Sequence, residues 1–265
     1  MKLAQIGFGG IGNTVAACLA ANETVRYVAI AARPKQREDV RNLLGDVTCV
    51  DTPSELLACD PDLVIECASH VALHQYAEPV LVSGIDLIAV SVGTLADRTY
   101  REGILAAAAR SGARLEIPSG AIGGVDVVAA ARHAGLARVT YITRKAPSLW
   151  KGTAAANMVD LARISEPVLF FDDTAERAAV LFSDKANVTA TLALAGLGFE
   201  KTRVQFWVDH DYVRSTHQIE LEAATGTMTV ELANTVSPAD KKSSWLTAMS
   251  IVQAVRNRYA VLRFV

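Results

Sequence analysis

The chain has 265 residues, of which 51% are hydrophobic and 20% are charged. This composition is typical of a globular protein of one or two domains and excludes an intrinsically disordered chain. The formal net charge of -2 gives no basis for binding nucleic acid or an anionic membrane through bulk charge.

Helix and strand signals alternate along the first 118 residues. Short apolar runs such as KLAQIGF, VRYVAIAAR, DLVIECAS and DLIAVSV predict strands, and the segments between them predict helices, one of which starts with Ser54 as a plausible N-cap. Strands separated by helices of this length indicate βαβ units. We therefore expect residues 1–118 to form a Rossmann-type, doubly wound parallel sheet, and the whole chain to be an α/β protein.

The pattern changes after Gly120. Runs with period-two alternation, among them RVTYITRKAP, PVLFFDDT, RVQFWVDHD, HQIELEAATG and TMTVELANT, predict strands with short turns. We expect residues 119–243 to form a second, α+β domain with a mixed or antiparallel sheet. The helical stretch at about residues 244–265 is expected to pack back on the first domain.

No apolar run is long enough to span a bilayer, so we expect no membrane partner. The N-terminus lacks the longer apolar stretch and cleavage site of a signal peptide, and the cysteines Cys18, Cys49, Cys59 and Cys67 form no CxxC pair. Both observations predict a cytoplasmic protein with free thiols.

A glycine motif follows the first predicted strand and opens the first predicted helix. In GFGGIG, Gly7 permits a tight turn, Gly9 permits close approach of a pyrophosphate, and Gly12 lets the helix pack near the strand. The helix N-terminus supplies backbone N–H groups to phosphates. We therefore assign to a dinucleotide site Gly7, Gly9, Gly10, Ile11 and Gly12.

The residue at the end of the second predicted strand indicates whether the cofactor is NAD or NADP. An Asp or Glu there would bind the ribose 2′-hydroxyl of NAD, but this chain has Arg33, with Lys35 and Arg37 close behind. Guanidinium and ammonium groups suit a 2′-phosphate, so NADP is favoured over NAD. Cys67, Ala68 and Ser69 follow a predicted parallel strand, where doubly wound folds place ligands, and we expect them to line the cofactor.

Several segments together resemble the L-aspartate dehydrogenase family. They are ECASH at 66–70, SVGTLAD at 91–97, IPSGAIGGVD at 117–126, NVTATLALAGLG at 187–198, STHQIELEAATG at 215–226 and NTVSPADKKSSWLTAMS at 234–250. The resemblance covers nearly the whole chain in the family's order and spacing, and IPSGAIGGVD is its most specific part.

The resemblance implies oxidation of L-aspartate with NAD(P) to iminoaspartate, which can hydrolyse to oxaloacetate and ammonia, and the reverse reductive amination. It also implies that His217 is the catalytic histidine and that Ala121 and Asn187 contact the cofactor. Two departures bear on substrate preference. Ser215 stands where the family often has Asn, and residues 240–244 read DKKSS where the family commonly has NPKTS.

The residue chemistry agrees with a histidine base. Hydride removal from an amine and hydrolysis of an imine both need a proton acceptor, and an ordinary imidazole titrates near neutral pH. A dicarboxylate substrate also needs cations and polar donors. The candidates are Lys145, Lys151, Lys242 and Ser243, with the small-residue turn at Ser119 and Gly120 offering backbone N–H groups.

Other assignments and partners follow from the same sequence. His70 and His74 form an HxxxH pair without the Glu of a zinc protease or an evident third ligand, so we expect no metal site. A homodimer is expected because Val204, Phe206, Val208, Ile219 and Leu221 would give the second sheet an apolar outward face.

Two other functions remain open at this point. One is another NAD(P)-dependent oxidoreductase acting on a small carboxylate, although several such enzymes use a Lys as proton donor. The other is a sensor that binds NADP(H) without turnover.

Overall fold

The computed structural model describes residues 1–183, 186–212, 215–238 and 240–264, with only the backbone at 240–242. It divides into two compact units. The first contains residues Met1–Gly120 and Val236–Val265, and the second contains residues Ala121–Thr235. Residues 236–243, which the sequence-based boundary assigned to the second domain, therefore group with the first.

The first 120 residues alternate between strands and helices. Their elements are β1 (Lys2–Ile6), α1 (Gly10–Ala20), β2 (Arg26–Ala31), α2 (Arg37–Leu44), β3 (Thr48–Val50), α3 (Pro53–Ala58), β4 (Leu63–Glu66), α4 (His70–Val82), β5 (Asp86–Ala89), α5 (Arg98–Ser111) and β6 (Leu115–Glu116). Single 3-10 turns lie at Pro34–Gln36 and Val92–Ala96.

The second unit combines longer strands with short helices. Its elements are α6 (Val125–Ala131), β7 (Leu136–Lys145), α7 (Pro147–Trp150), β8 (Val168–Thr174), α8 (Ala175–Leu181), α9 (Ala186–Ala195), β9 (Arg203–Val208), β10 (Thr216–Ala223) and β11 (Gly226–Ala233). The chain then returns to the first unit with β12 (Val236–Ser237), β13 (Asp240–Ser244) and α10 (Trp245–Arg256).

The first unit contains the predicted parallel sheet. Its strand order is β3-β2-β1-β4-β5-β6, and every neighbouring pair is parallel. The order reverses beside β1, and in doubly wound sheets the carboxyl ends of the strands at such a reversal form the ligand crevice. The Rossmann-type prediction is confirmed.

The C-terminal helix belongs to the core of the first unit. Ala248, Ile251, Val252 and Val255 of α10 are buried in one apolar cluster with residues of β1, α1 and β4. The helix is shorter than the sequence pattern indicated, because it ends at Arg256. Beyond it, Arg258 Nη1 lies 2.7 Å from Asp86 Oδ2 at the start of β5.

One helix start differs from the sequence-based assignment. Thr52, rather than Ser54, is the N-cap of α3. Its Oγ1 accepts the N–H of Glu55 at 3.2 Å, while Glu55 Oε2 accepts the N–H of Thr52 at 3.3 Å. This reciprocal capping box, with Pro53 as the first helical residue, satisfies two N–H groups together and places Ser54 inside the helix.

The second sheet is mixed, which is one of the two forms expected from the sequence. Its strand order is β11-β10-β7-β9-β8, with β7 and β9 parallel and the other pairs antiparallel. Helices cover one of its faces. Gly196, just after α9, lies against both Val128 of α6 and Val139 of β7, while Met228, Val230 and Leu232 of β11 lie against Gly123 and Gly124.

The apolar residues used to predict a dimer surface are on this covered face. Val204, Phe206, Val208, Ile219 and Leu221 are all buried within the single chain. The interpretation of them as an outward face is therefore wrong. Period-two alternation shows which residues share a face, but it does not show which face the helices cover.

Among the described residues, no helix is both long and apolar enough to cross a membrane.

Candidate functional site

The five assigned glycine-motif residues form the turn from β1 into the first turn of α1. Gly7 has a φ of +95°, and a Cβ there would lie 2.8 Å from the Cα of Ala68. A Cβ at Gly12 would lie 2.3 Å from the carbonyl oxygen of Gly7. Both positions therefore require glycine. Around Gly9, a Cβ would meet no atom within 4 Å, so this side of the turn is open.

The N-terminus of α1 fits a pyrophosphate. The helix has 11 residues, its N-cap Gly9 has no capping side chain, and its first turn has no acidic residue. The first N–H groups of a helix lack intrahelical acceptors and carry a partial positive charge. An open glycine turn that aims such a helix end outward is suited to a dinucleotide.

Gln5 braces this turn, and the sequence analysis missed it. The residue is fully buried in β1. Its Nε2 donates to the carbonyl oxygens of Gly7 at 2.8 Å and Gly12 at 3.0 Å, and its Oε1 accepts the Tyr27 hydroxyl at 3.1 Å. The available signal was an amide inside an apolar strand, because a buried amide requires partners.

Arg33 lies exposed just after β2, as predicted from the cofactor motif. Gln36 connects it to the glycine turn. The Gln36 Oε1 accepts the N–H and the Nε–H of Arg33, each at 3.3 Å, while Gln36 Nε2 donates to the carbonyl oxygen of Phe8 at 2.9 Å. Lys35 is exposed nearby.

Arg37 does not join this cationic group. Its Nη2 lies 2.6 Å from both carboxylate oxygens of Asp51. This hydrogen-bonded ion pair raises the pKa of Arg37 and holds its guanidinium against Asp51, just after β3. The sequence placed all three cations together because it could not show the Asp51 partner.

The loop with Cys67, Ala68 and Ser69 follows β4 and is organised by Glu66. This carboxylate is fully buried. Its Oε1 accepts the N–H of Ala68 at 2.7 Å and of Ser69 at 3.0 Å. Ser91 supplies two more donors, its Oγ to Oε1 at 2.8 Å and its N–H to Oε2 at 3.0 Å.

Glu66 therefore fixes the backbone that contacts Gly7. Desolvation raises the pKa of Glu66, although the four hydrogen bonds oppose this effect. Ala68 and Ser69 remain exposed at the carboxyl end of β4, and Ser69 Oγ caps α4 by accepting the N–H of Ala72 at 3.2 Å. Cys67 is buried, and burial raises the pKa of its thiol, which agrees with a lining role and not a nucleophilic one.

For the remaining candidate residues of the first unit, the structure offers less support for a role in ligand binding. Ser119 and Gly120 are half-buried after β6. The N–H of Gly120 donates to Ser250 Oγ of α10 at 3.1 Å, so this N–H is already committed, contrary to the expectation that it would orient a ligand. Ser243 is half-buried in β13, and the side chain of Lys242 lies outside the described part of the chain.

The second unit contains His217 near the start of β10, facing the helix-covered side of the sheet. His217 is buried, with 8% of the residue exposed to solvent. Nδ1 lies 2.7 Å from the Tyr141 hydroxyl, and Nε2 lies 3.4 Å from Ser215 Oγ. His217 is opposite Thr143 of β7 and Leu232 of β11, so the sheet register fixes its position.

Burial changes the acidity of this pair. Desolvation, with a further contribution from the positive charge of Lys145, lowers the pKa of His217 to about 3. Desolvation also raises the pKa of Tyr141 above its usual value. Both side chains are therefore neutral at physiological pH. This differs from the near-neutral titration that we expected from an ordinary histidine.

Lys145 is the candidate cation that the structure brings to His217. It ends β7, two residues beyond Thr143 on the same face of the sheet, and its Nζ lies 4.9 Å from the centre of the Trp150 ring. Lys151 instead lines an open groove of about 890 Å³ together with Asn157, Asp160 and His210. His217 is not part of that lining.

Ala121 and Asn187, the two residues expected to contact the cofactor, lie in different segments of the second unit. Ala121 is buried, and its carbonyl oxygen accepts Asn234 Nδ2 at 2.7 Å. Asn187 is half-buried at the second residue of α9, and its carbonyl oxygen accepts Thr191 Oγ1 at 3.0 Å. Asn234 was not among the predicted residues, although it lies in the quoted segment at 234–250.

The comparison with known families first defines the class of protein. Residues 7–118 match the model of the homoserine dehydrogenase NAD-binding domain. Together with the open glycine turn, this match places the protein among the dehydrogenases that bind a nicotinamide dinucleotide.

The second match is more specific. Residues 126–258 match the model of the aspartate dehydrogenase C-terminal domain. The chain is 38% identical over 258 residues to the L-aspartate dehydrogenase of Acinetobacter baumannii, covering 97% of each chain. It is also 38% identical over 260 residues to L-aspartate dehydrogenase 2 of Bordetella pertussis, covering 98% of this chain and 97% of the relative.

A solved structure agrees with these matches. The crystal structure of aspartate dehydrogenase from Thermotoga maritima has a TM-score of 0.78 and 26% identity, covering 100% of this chain and 99% of that one. The protein belongs to the aspartate dehydrogenase family, as its sequence motifs indicated.

The depressed pKa of His217 predicts a specific acid sensitivity. Below about pH 6.5 the unfolded chain protonates this histidine while the fold excludes the proton, so the free energy of unfolding falls as pH decreases towards 3. Above pH 6.5 the effect vanishes. Between pH 7.5 and 5.0, urea unfolding of the wild type should lose roughly 2 kcal/mol more than His217→Asn. Equal losses in the two proteins would contradict the buried, neutral state of His217.

Proposed function

We propose that this protein oxidises L-aspartate with NAD(P) to iminoaspartate, which hydrolyses to oxaloacetate and ammonia, and catalyses the reverse reductive amination. The observation that carries the proposal is the placement of a neutral, buried His217 beside Lys145 on one face of a sheet in an aspartate dehydrogenase fold. The dinucleotide, when bound, supplies the hydride acceptor at its nicotinamide ring.

His217 is the general acid and base of this proposal. A neutral imidazole has a lone pair available, and Nε2 is the ring nitrogen on the side of half-buried Ser215. Oxidation of the amine and attack of water on the imine each release a proton, which Nε2 can accept. In the reductive direction the same nitrogen returns the proton to the substrate.

Lys145 provides a positive charge for one carboxylate of the substrate. Its stacking on Trp150 holds the ammonium group at the end of β7. We also assign to substrate binding Ser119, Lys242 and Ser243, but not Gly120, because its N–H is donated to Ser250. The cofactor assignments remain those of the glycine turn, Arg33, residues 67–69, Ala121 and Asn187.

The direct test is the absorbance of reduced nicotinamide with L-aspartate and NADP or NAD. His217→Asn should lower kcat by about 10²–10⁴-fold, because it removes the proton acceptor and leaves the cofactor turn intact. His210→Asn is the matched control, since His210 is exposed and its Nε2 donates to the carbonyl oxygen of Ile164 at 2.7 Å.

Two outcomes would contradict the proposal. Cofactor binding without aspartate-dependent reduction would favour a non-catalytic NADP(H)-binding protein. Turnover of a different small carboxylate, with none of aspartate, would favour another oxidoreductase.

NADP is the proposed preferred cofactor, with NAD as the alternative. The support is an exposed Arg33 in the position that reads the adenosine ribose, tied to the glycine turn through Gln36, with Lys35 beside it. A guanidinium held in this way forms charge-assisted hydrogen bonds with a 2′-phosphate.

The cofactor proposal predicts a selective change in binding. Arg33→Ala should weaken NADP binding about 10-fold or more, since a charge-assisted contact contributes at least about 1.4 kcal/mol, and should change NAD binding by less than about 3-fold. Gln36→Ala should produce a smaller change of the same kind. Titration calorimetry with each dinucleotide measures both, and NAD serves as the internal control. Equal weakening of both cofactors would show that Arg33 does not read the 2′-phosphate.

The protein is further proposed to be a cytoplasmic homodimer. Free thiols at all four cysteines support a reducing compartment. For the dimer, the candidate surface is now the sheet face opposite His217, which includes half-buried Gln205, Trp207, Gln218 and Glu220. Arg144 lies opposite Thr216 at one end of this face and Glu220 lies opposite Thr140 towards the other. Two copies related by a two-fold axis would thus bring opposite charges together.

Light scattering tests the dimer. At micromolar concentration the wild type should have twice the 28.2 kDa chain mass. Gln218 Nε2 donates to Glu220 Oε1 at 3.0 Å, so Gln218→Glu places a second carboxylate beside Glu220 in the middle of the face. This variant should shift the mass towards a monomer, whereas Arg110→Glu on the exposed side of α5 should not. A wild-type monomer at this concentration would overturn the assignment.

A further inference from the structure

Tyr141 is the neighbour of His217 that the proposed reaction has not yet used. Its hydroxyl oxygen lies 2.7 Å from His217 Nδ1, and the two rings are nearly parallel, at 12°. Tyr141 is 2% exposed, so the hydroxyl is shielded from water. The outer ring nitrogen, Nε2, is left for Ser215 and for substrate.

The sheet holds this pair rigidly. Tyr141 is opposite Ile219 of β10, and His217 is opposite Thr143 of β7, so the two side chains are diagonal neighbours on one face. The Tyr141 ring also packs edge-on against Phe206, with centroids 6.4 Å apart. A rotation that separated Oη from Nδ1 would disturb the aromatic core of the second unit.

The chemistry of the reaction gives the hydroxyl a defined task. When Nε2 accepts a proton, both ring nitrogens carry hydrogen, and Nδ1 must then donate. Within the described part of the second unit, the Tyr141 oxygen is the acceptor that lies within hydrogen-bond distance of Nδ1. A buried imidazolium without that acceptor would leave a charged donor unsatisfied.

A phenol differs from the carboxylate that accompanies the histidine of many hydrolases. A carboxylate carries a full negative charge and favours the protonated imidazole at rest, whereas a phenol remains neutral. The hydroxyl therefore accepts from Nδ1 in the protonated state without attracting a proton to the resting enzyme. This suits a reversible reaction, in which the histidine must both take up and release a proton.

We propose that Tyr141 is a positioning residue for the reaction, accepting a hydrogen bond from Nδ1 of His217 whenever Nε2 takes up a proton. The proposal rests on the proposed function of His217. The step is a proton transfer to Nε2 alone. The Nδ1–H bond is retained, Tyr141 keeps its own proton, and no electrons move between the two residues.

The test is a double-mutant cycle with Tyr141→Phe and His217→Asn, because Phe removes only the hydroxyl. Tyr141→Phe should lower kcat about 10–100-fold and change the KM values for aspartate and cofactor by less than about 3-fold. In the His217→Asn background, the same change should have little further effect, because Tyr141 acts through the histidine. Tyr76→Phe is the control, since the Tyr76 hydroxyl donates only to the backbone of Asp51 at 2.9 Å.

Additive losses in the two variants, or an unchanged kcat in Tyr141→Phe, would overturn the proposal. Additivity would mean that the hydroxyl affects turnover independently of His217. Equal unfolding midpoints of Tyr141→Phe and Tyr76→Phe would exclude loss of the fold as the cause of a lower kcat.

A second measurement needs no substrate and separates this inference from the proposed reaction. Nitrogen NMR of the imidazole rings, assigned with His217→Asn, reports which nitrogen of His217 carries the proton. The wild type should show one defined tautomer. Tyr141→Phe should show a mixture, because Nδ1 then lacks the hydroxyl partner that selects its protonation state. The same tautomer in both proteins would contradict the pairing even if aspartate is the substrate. A shift in tautomer without any aspartate turnover would support the pairing and reject the proposed function.

Discussion

Desolvation of an ionisable side chain is the constraint on which the glycine-turn region of the first unit and the His217 pair of the second unit each depend. Glu66 in the first unit and His217 in the second are almost inaccessible to water, and burial of such groups is costly unless hydrogen bonds replace the lost solvent. Glu66 meets this requirement with donors from Ala68, Ser69 and Ser91, and so fixes the loop against the glycine turn. His217 meets it with Tyr141 and thereby acquires a fixed orientation.

Local sequence was enough to predict the parallel strands, the helices and the glycine turn of the first unit. The turn, the helix N-terminus and the basic residue after β2 lie within 33 residues, and each has a stereochemical reason that a short segment contains. The polar residues that brace this unit were missed, because their partners are distant in sequence. Gln5 meets Tyr27, and Glu66 meets Ser91, 25 residues away. An amide and a carboxylate within apolar strands could have signalled a need for partners, but their identity depends on the strand order.

The second unit shows a different limit. Alternation along β9 and β10 correctly grouped the apolar residues, and His217 continues the same alternation as Ile219 and Leu221. The assignment of that group to the outside was wrong because the helices that cover it are separated from it in sequence. The same error concealed the state of the histidine, since a residue on the covered face loses its hydration and with it its ordinary pKa. The family resemblance singled out His217 as a candidate, whereas only the fold explains why it is neutral.

Lys145 connects substrate recognition with proton transfer in the proposed reaction. Its positive charge is one reason why His217 resists protonation in the free protein. A substrate carboxylate paired with Lys145 offsets that charge, and its own negative charge favours an imidazolium nearby. The basicity of His217 therefore rises when an anionic substrate occupies the site. A neutral amine of similar size would leave the repulsion in place, so the electrostatics of the pair would select for a carboxylate by reactivity as well as by affinity.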